Sequence, residues 1–349
     1  MSKYDINCEM ILKLLAGTVT AAWEAGNIIK NVLKQGSLNI VEKGLNDYQT
    51  EADRLSQRWI FNYLKYHFPK LRIIGEEDIA ETPIENQEKL NSIEIPEAKK
   101  ILSLSCPKEY MGIEENKVVI WVDPLDGTSE FTEGHLDHVT VLIGISYKGQ
   151  AIAGAICQPF YQTMNSNNSK LKNTPNVQQD GRIIWGLQGL GAYGIIVQDP
   201  PKEKLIICTT QSHKSAIVLD AINSLKPDKV IHIGGCGMKV LLVIEGLAHA
   251  YLYASKGSKK WDTCAPEAIL RALGGKLTDI CGESIDYSLN SPPSETPSKT
   301  TIQDSHWVNN YIGILATHKG LDHAGLIKKI PQNIKDTLRM EGAKLSGLI

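Results

Sequence analysis

The chain has 349 residues, of which 42% are hydrophobic and 22% are charged, as is typical of an ordinary globular protein. This length is enough for one large domain or for two closely joined domains. Thirty-seven basic residues against 39 acidic ones give a formal net charge of −2, without the basic excess that usually marks proteins binding nucleic-acid polymers. Any anionic ligand must therefore be held by local groups rather than by the field of the whole molecule.

The amino-terminal segment predicts a helix rather than an export signal. Leu14–Trp23 is apolar, but no positively charged leader precedes it, and its apolar side chains recur at helical spacing. No run approaches the roughly 18 apolar residues that a membrane span needs. The seven cysteines are scattered without a CxxC pair, which is typical of reduced thiols in a cytosolic protein. We therefore expect a cytoplasmic protein without a membrane partner, and we favour a monomer.

The predicted elements begin with two helices, over 8–34 and 48–67, and a strand over Leu71–Ile74. The first helix is predicted to stop near Gly36. The polar segment 80–116, which contains several prolines, is predicted to be a surface excursion that carries a short helix.

A compact β-branched strand, Val118–Val122, follows, and Pro124 is predicted to end it with a turn. Two more strands are predicted, at Thr140–Tyr147 and Ala151–Gln158. Segment 165–181 is rich in Asn, Ser and Gln, which predicts a loop.

The second half of the chain begins after residues 198–204, the best candidate for a linker. Strands and helices then alternate, as in an α/β layer, and an exposed loop is predicted at 285–306. We therefore predict an α+β domain over residues 1–200 and an α/β domain over residues 201–349.

The acidic loop after the second predicted strand carries the most informative chemistry. Asp123 and Asp126 stand three residues apart on a rigid turn, so both carboxylates can face one hard cation. The carbonyl of Leu125 can join them, because Mg²⁺ prefers oxygen ligands. The free N–H groups of Gly127 and Thr128 offer a site for phosphate oxygens. The alternative for this sequence is an ordinary Asx-type turn.

Further carboxylates follow other predicted elements, and each has an ordinary explanation when taken alone. Glu76 and Glu77 could form a solvated acidic corner after a strand. Asp262 could be a helix N-cap. Asp53 could simply favour the first turn of the second helix through the helix dipole. No single residue decides between these explanations and a functional site.

The acidic motifs taken together resemble those of the inositol monophosphatase and fructose-1,6-bisphosphatase superfamily. That pattern is D…EE…DPxDG[ST]…WD, followed after eleven residues by GG. It is matched in order by Asp53, Glu76-Glu77, 123–128, Trp261-Asp262 and Gly274-Gly275. The stretches IIGEED, WVDPLDGT, AIAGAICQP and KKWDTCAPE are similar to the 3'(2'),5'-bisphosphate nucleotidase branch of the superfamily.

The resemblance implies an α/β fold, layered αβαβα, with most metal ligands in the α+β half and Asp262 in the α/β half. It implies two to three Mg²⁺ ions and sensitivity to lithium. One ion is expected on Glu76, Asp123 and the Leu125 carbonyl, and a second on Asp123, Asp126 and Asp262. A third, weaker ion would use Glu76 and waters, and Glu77 is an additional candidate.

The resemblance also implies how the reaction proceeds. Asp53 and Thr128 are expected to orient and deprotonate a metal-activated water that attacks phosphorus in line. The N–H groups of Gly127 and Thr128 are expected to hold the phosphoryl oxygens. No covalent enzyme intermediate is expected.

Substrate binding is expected to depend on two strand-to-helix connections in the second half. The resemblance to the bisphosphate nucleotidases assigns it to Thr210, His213, Gly235 and Lys239, with the lysine as a point charge for a second phosphate. Cys236 and Met238 depart from the expected Ala and Asn.

The substrate implied by the resemblance is a small phosphorylated molecule rather than a polymer. Hydrolysis of the 3'-phosphate of adenosine 3',5'-bisphosphate to AMP and phosphate is the leading hypothesis, with 3'-phosphoadenylyl sulfate as a second substrate. One alternative is an inositol polyphosphate 1-phosphatase acting on inositol 1,4-bisphosphate. The other alternative is a nucleotide-binding regulator without catalytic activity.

Overall fold

The computed structural model describes residues 8–44, 47–78, 90, 95–161, 181–211, 215–289 and 306–346. Nearly all of the loop predicted at 165–181, and most of the one predicted at 285–306, lie outside the described residues.

The described residues form nine α-helices and fifteen strands. The helices are α1 (Met10–Gln35), α2 (Glu51–His67), α3 (Pro96–Leu102), α4 (Thr128–Glu133), α5 (Ala216–Ser224), α6 (Cys236–Ile244), α7 (Lys260–Ala272), α8 (His323–Lys329) and α9 (Gln332–Leu345). The strands are β1 (Val41–Gly44), β2 (Asp47–Gln49), β3 (Arg72–Gly75), β4 (Val118–Asp126), β5 (Thr140–Tyr147), β6 (Gln150–Gln158), β7 (Arg182–Leu187), β8 (Gly191–Tyr193), β9 (Ile206–Thr210), β10 (Lys229–Ile233), β11 (Ala250–Tyr253), β12 (Ser258–Lys259), β13 (Lys276–Thr278), β14 (Asn309–Asn310) and β15 (Ile314–Thr317).

Strands β3 to β8 form a six-stranded sheet in chain order, in which β3 and β4 are parallel and the other pairs are antiparallel. Both faces of this sheet are covered. On β4, Ile120 and Val122 lie in the core formed with α1 and α2, whereas Val119 and Trp121 lie in the core that contains α7. The alternation follows from the two-residue period of a strand, and it explains why the strand sequence is apolar at every position.

A second sheet has five strands in the order β10-β9-β11-β15-β13, with β10, β9 and β11 parallel. Helices α6 and α7 pack between the two sheets, because each contacts strands of both, and α5 packs against β11. The resulting layers of helices and mixed sheets confirm the predicted α/β fold class.

The first helix ends as predicted, with Gly36 in the left-handed conformation at φ 74°. The prediction that Pro124 ends the strand is wrong, because β4 continues to Asp126. Asp123 pairs with Leu142 and Asp126 with Thr140, so the register shifts between them. Proline lacks an N–H group for the ladder, and the strand accommodates it with a bulge instead of stopping.

The two sheets occupy successive parts of the chain, and the boundary between them falls between Tyr193 and Ile206. Since α7 belongs to the second half but packs on the first sheet, the division into residues 1–200 and 201–349 stays a prediction. All seven cysteines are free, as predicted. In the part of the chain that is described, no helix combines the length and apolar character that a membrane crossing requires. The cytoplasmic location stays a prediction.

Helix α7 lies unusually close to the first sheet because glycines face it. A Cβ added to Gly144 would lie 2.5 Å from Cys264 Sγ, and one added to Gly154 would lie 2.8 Å from the Cα of Ala265. Gly144 and Gly154 are cross-strand partners on β5 and β6. They form one shallow depression that receives α7, the helix that carries Asp262.

We expect Gly154→Ala to destabilise the protein by about 1–3 kcal/mol, because the added methyl group overpacks the contact with α7. The change in unfolding free energy, measured by urea denaturation, checks this expectation. Unchanged stability would contradict the close packing of α7 on this sheet.

Candidate active site

Four predicted metal ligands converge on one open cleft of about 240 Å³ from the ends of three elements. Glu76 follows β3, and its backbone N–H donates to the Val122 carbonyl at 3.0 Å. Asp123 and Asp126 stand at the end of β4, and Asp262 lies in the first turn of α7. Their neighbouring strands and helix are fixed by buried cores, so the carboxylates are held together by the fold rather than by each other.

These carboxylates lie close enough to resist ionisation together. Burial raises the pKa of Asp123 well above its ordinary value, and the charges of Glu76, Asp126 and Asp262 raise it further. Burial likewise raises the pKa of Glu76, against the opposing effect of the Lys43 ammonium. Asp123 Oδ1 accepts the N–H of Leu125 at 3.1 Å, which fixes the loop with the Leu125 carbonyl on the lining of the cleft.

Asp126 connects the acidic loop to the second half of the chain. Its Oδ1 accepts the N–H of Cys236 at 2.8 Å, and its Oδ2 accepts the N–H of Gly237 at 2.8 Å. The Thr140 hydroxyl donates to the same Oδ2 at 2.7 Å. Asp126 therefore stabilises the start of α6, where a negative charge also interacts favourably with the helix dipole.

Asp262 is not the N-cap of its helix, because α7 begins at Lys260 and Lys259 is the capping residue. The Asp262 carboxylate reaches back and accepts the N–H of Lys259 at 2.8 Å. Burial raises the pKa of Asp262 to about 7, and the charge of Asp126 contributes in the same direction. The helix thus orients this carboxylate towards the cleft with one oxygen anchored.

Asp53 contacts Thr128, which lines the cleft. Asp53 Oδ2 accepts the N–H of Thr50 at 2.7 Å in a capping box at the start of α2, and Oδ1 accepts the Thr128 hydroxyl at 3.1 Å. The same hydroxyl lies 3.0 Å from the Leu125 carbonyl. Burial raises the pKa of Asp53 to about 6, although its bonds from Thr50 oppose the rise.

The additional candidate Glu77 does not line the cleft. Its side chain is fully buried and accepts the Lys43 ammonium at 3.0 Å and the Gln49 amide, both from the β1–β2 hairpin. Lys43 also lies 3.5 Å from Glu76 Oε1. Glu77 thus joins the hairpin to the segment that carries Glu76, and its role as an additional metal ligand stays a prediction.

The same cleft is lined by most of the predicted substrate residues, namely Thr210, Gly235 and Lys239, together with Gly127. The Lys239 ammonium donates to the Gly235 carbonyl at 2.7 Å and lies 5.4 Å from the centre of the Tyr251 ring. Gly235 has φ 68°, a conformation that favours glycine. The remaining candidate, His213, lies outside the described residues.

Sequence reasoning missed several residues that line the cleft. Tyr48 comes from the β1–β2 hairpin, and Glu130 lies two residues after Thr128, the last residue of the acidic motif. Tyr251 and Tyr253 are two residues apart on β11 and both reach the cleft. The alternation of aromatic residues on β11 was a usable signal, because residues two apart share a face.

The donor set fits Mg²⁺ in its chemistry. Its candidate ligands are carboxylate and carbonyl oxygens, the atoms that hard divalent cations prefer. Among the described residues, no three acidic, His or Cys side chains already form a ready-made metal-ligand group. Mg²⁺ usually keeps several waters and binds substrate phosphate, so these carboxylates do not have to complete its coordination. A cation would also relieve the repulsion that raises their pKa values.

Comparison with known proteins decides the family. The sequence model of the inositol monophosphatase family matches residues 11–335. The chain belongs to this family. The resemblance predicted from the acidic motifs is therefore confirmed.

Individual relatives point to one branch of the family. Human 3'(2'),5'-bisphosphate nucleotidase 1 is 43% identical over 330 residues, covering 94% of this chain and 97% of the human protein. The Dictyostelium discoideum protein of the same name is 39% identical over 313 residues, covering 88% and 98%. The structure of inositol monophosphatase II from Staphylococcus aureus MSSA476 matches with a TM-score of 0.61 at 18% identity, covering 96% of this chain and 98% of that one. At that identity the structural likeness shows the fold alone.

We expect the metal-free protein to lose stability as the pH rises from about 4 to about 7. The carboxyl groups of Asp53 and Asp262 have a raised pKa in the folded state, so the folded state binds more protons than the unfolded state in this window. Mg²⁺ should raise the melting temperature by several degrees at pH 8 and by less at pH 5, where protons compete with it. Thermal unfolding with Mg²⁺ or with a chelator measures both effects.

The control for this measurement is Asp137→Asn, which removes an exposed carboxylate and should leave both effects unchanged. Asp123→Asn should reduce both the pH dependence of stability and the stabilisation by Mg²⁺. A melting temperature that does not respond to Mg²⁺ at pH 8 would contradict a cation site among these carboxylates.

Proposed function

We propose that this chain is a Mg²⁺-dependent phosphatase that hydrolyses the 3'-phosphate of adenosine 3',5'-bisphosphate to AMP and phosphate. 3'-Phosphoadenylyl sulfate, which carries the same 3'-phosphate, is a second candidate substrate. The names of the human and Dictyostelium relatives, which align over nearly their whole length, support the choice of a nucleoside bisphosphate.

One observation carries the proposal: a group of carboxylates and the buried ammonium group of Lys239 line the same cleft. Asp123 and its neighbouring carboxylates would receive a phosphate only together with cations. Lys239 supplies a positive charge from the protein itself. A substrate with two phosphate groups can use both the cations held by the carboxylates and Lys239, whereas a monophosphate uses only one of them.

The proposed Mg²⁺ ligands are Glu76, Asp123, the Leu125 carbonyl, Asp126 and Asp262, which share the cleft lining. We propose two to three ions. When bound, Mg²⁺ supplies positive charge that stabilises the transition state and lowers the pKa of the attacking water. Asp126 already accepts three hydrogen bonds, so it has about one lone pair left for a cation.

The pair of Asp53 and Thr128 is placed to move a proton. The Thr128 hydroxyl donates to Asp53, so its own oxygen is free to accept a hydrogen bond from water in the cleft. As the water attacks, its proton passes to the Thr128 oxygen and the Thr128 proton passes to Asp53. A pKa of about 6 suits Asp53 to this task, because a base works best when its pKa lies near the operating pH.

The N–H groups of Gly127 and Thr128 are proposed to bind the phosphoryl oxygens. Gly127 has φ 89° and precedes the first residue of α4, so the N–H groups around it have no helical acceptor. Backbone donors aimed at developing charge typically contribute about 10²–10³ in rate.

We expect phosphate release in the order adenosine 3',5'-bisphosphate, then inositol 1,4-bisphosphate, then inositol 1-phosphate, at fixed Mg²⁺. Both bisphosphates engage Lys239, and the nucleotide relatives favour the first. Asp123→Ala should abolish release from all three by removing a carboxylate shared by two proposed ions.

Preference for inositol 1,4-bisphosphate would instead support the inositol polyphosphate phosphatase. Tight nucleotide binding without Mg²⁺-dependent release would support the non-catalytic regulator.

We expect Lys239→Met to raise the KM for adenosine 3',5'-bisphosphate and the inhibition constant of AMP by about tenfold or more, through loss of a charge-assisted contact with the 5'-phosphate. Inhibition by inorganic phosphate should be unchanged, because phosphate alone is expected to bind the cations held by the carboxylates. The matched control is Lys256→Met, which removes the same charge from an exposed side chain paired with Glu341. Equal weakening of AMP and inorganic phosphate would contradict the assignment of Lys239 to the second phosphate.

A further inference from the structure

Glu130 lines the cleft together with the proposed metal ligands and Lys239. It belongs to α4, two residues after Thr128, and its side chain lines the cleft. A Cβ added to Gly127 would lie 3.5 Å from its Oε2, and one added to Gly234 would overlap its Oε1. The carboxylate therefore lies between the turn that precedes α4 and the turn that precedes α6.

The Glu130 carboxylate differs from the other acids of the cleft in its partners. Asp126 accepts three hydrogen bonds, and Asp262 accepts the N–H of Lys259. Within the described residues, no hydrogen bond or ion pair reaches the side-chain oxygens of Glu130, although the side chain is half-buried. The cleft thus presents a free, strong acceptor to its ligand.

The donor that this acceptor selects must be neutral, since either phosphate group would be repelled. With one phosphate at Gly127 and Thr128 and the other near Lys239, the sugar that joins them passes Glu130. In adenosine 3',5'-bisphosphate the ribose has one free hydroxyl, the 2'-OH, on the carbon next to the ester that is cleaved. The amino group of the base is farther from that ester.

We propose that Glu130 determines specificity by accepting a hydrogen bond from the 2'-hydroxyl, next to the scissile 3'-phosphate. This inference rests on the proposed function and names the part of the substrate that the metal ligands and Lys239 do not recognise. A hydrogen bond to an ionised carboxylate is stronger than one between neutral groups, so the discrimination against a 2'-deoxy substrate should be substantial.

The test compares kcat/KM for adenosine 3',5'-bisphosphate and for its 2'-deoxy analogue in the wild-type protein and in three variants. We expect the wild type to prefer the ribonucleotide by about tenfold or more. Glu130→Ala should reduce this ratio to near one, chiefly by slowing the ribonucleotide. Glu130→Gln keeps the shape and a neutral acceptor, and it should give an intermediate ratio.

Glu133→Ala is the matched control, because Glu133 lies on the same helix but its side chain is 64% exposed. It should keep the wild-type ratio. The ratio separates recognition from packing, because a loosened cleft slows both substrates equally. An equal loss for both substrates in the Glu130 variants, or a wild-type ratio near one, would overturn the role of Glu130 alone. Release from neither substrate by the wild type would overturn the proposed function and this inference with it.

Discussion

The carboxylate of Asp126 is the contact that joins the acidic loop to the second half of the chain in the cleft. It belongs to the acidic loop, yet two of its three hydrogen bonds come from backbone N–H groups at the start of α6. Gly235 precedes α6, and Lys239 is the fourth residue of that helix. Asp126 therefore joins the acidic loop directly to the turn and helix that carry Gly235 and Lys239.

The acidic cluster is unfavourable for folding when considered alone. Asp123 is buried among like charges, and burial raises its pKa well above the ordinary value. The arrangement persists because other parts of the fold fix it: β4 is buried along its whole length, and α7 packs tightly on the glycines of β5 and β6. Such local strain is typical of sites whose missing partner is a ligand. The hydrophobic layers hold the carboxylates where a divalent cation can neutralise them.

The sequence predicted those parts of the structure that depend on local patterns. The glycine that ends α1, the strand β5 and the alternation of strands and helices in the second half follow from periodicity and turn chemistry. The convergence of the acidic motifs required the resemblance to a family, because no local rule joins residues on separate elements.

The wrong prediction at Pro124 and the contacts that the sequence did not predict all involve residues that lie far apart in the sequence. Pro124 was expected to end its strand, but the pairing energy of β5 outweighs one missing N–H, and a bulge absorbs it. Glu76 and Glu77 are adjacent and chemically alike, and the contact of Glu77 with Lys43 could not be predicted because the two residues lie on separate elements. The bond from Cys236 to Asp126 spans 110 positions, a separation at which neither propensity nor spacing carries information.

The departures from the family pattern in the turn before α6 can be understood from the same contacts. At Gly237 an added Cβ would lie 2.6 Å from the Thr140 hydroxyl, and at Gly235 it would lie 2.9 Å from the His138 carbonyl, so these positions exclude a side chain. Cys236 contributes its N–H to Asp126, and any residue except proline supplies that donor. Met238 faces Gln158, whose amide approaches its sulfur at 3.4 Å, so it contacts the first sheet. The two replacements therefore change the walls around the turn, while the backbone bonds that join it to Asp126 remain available.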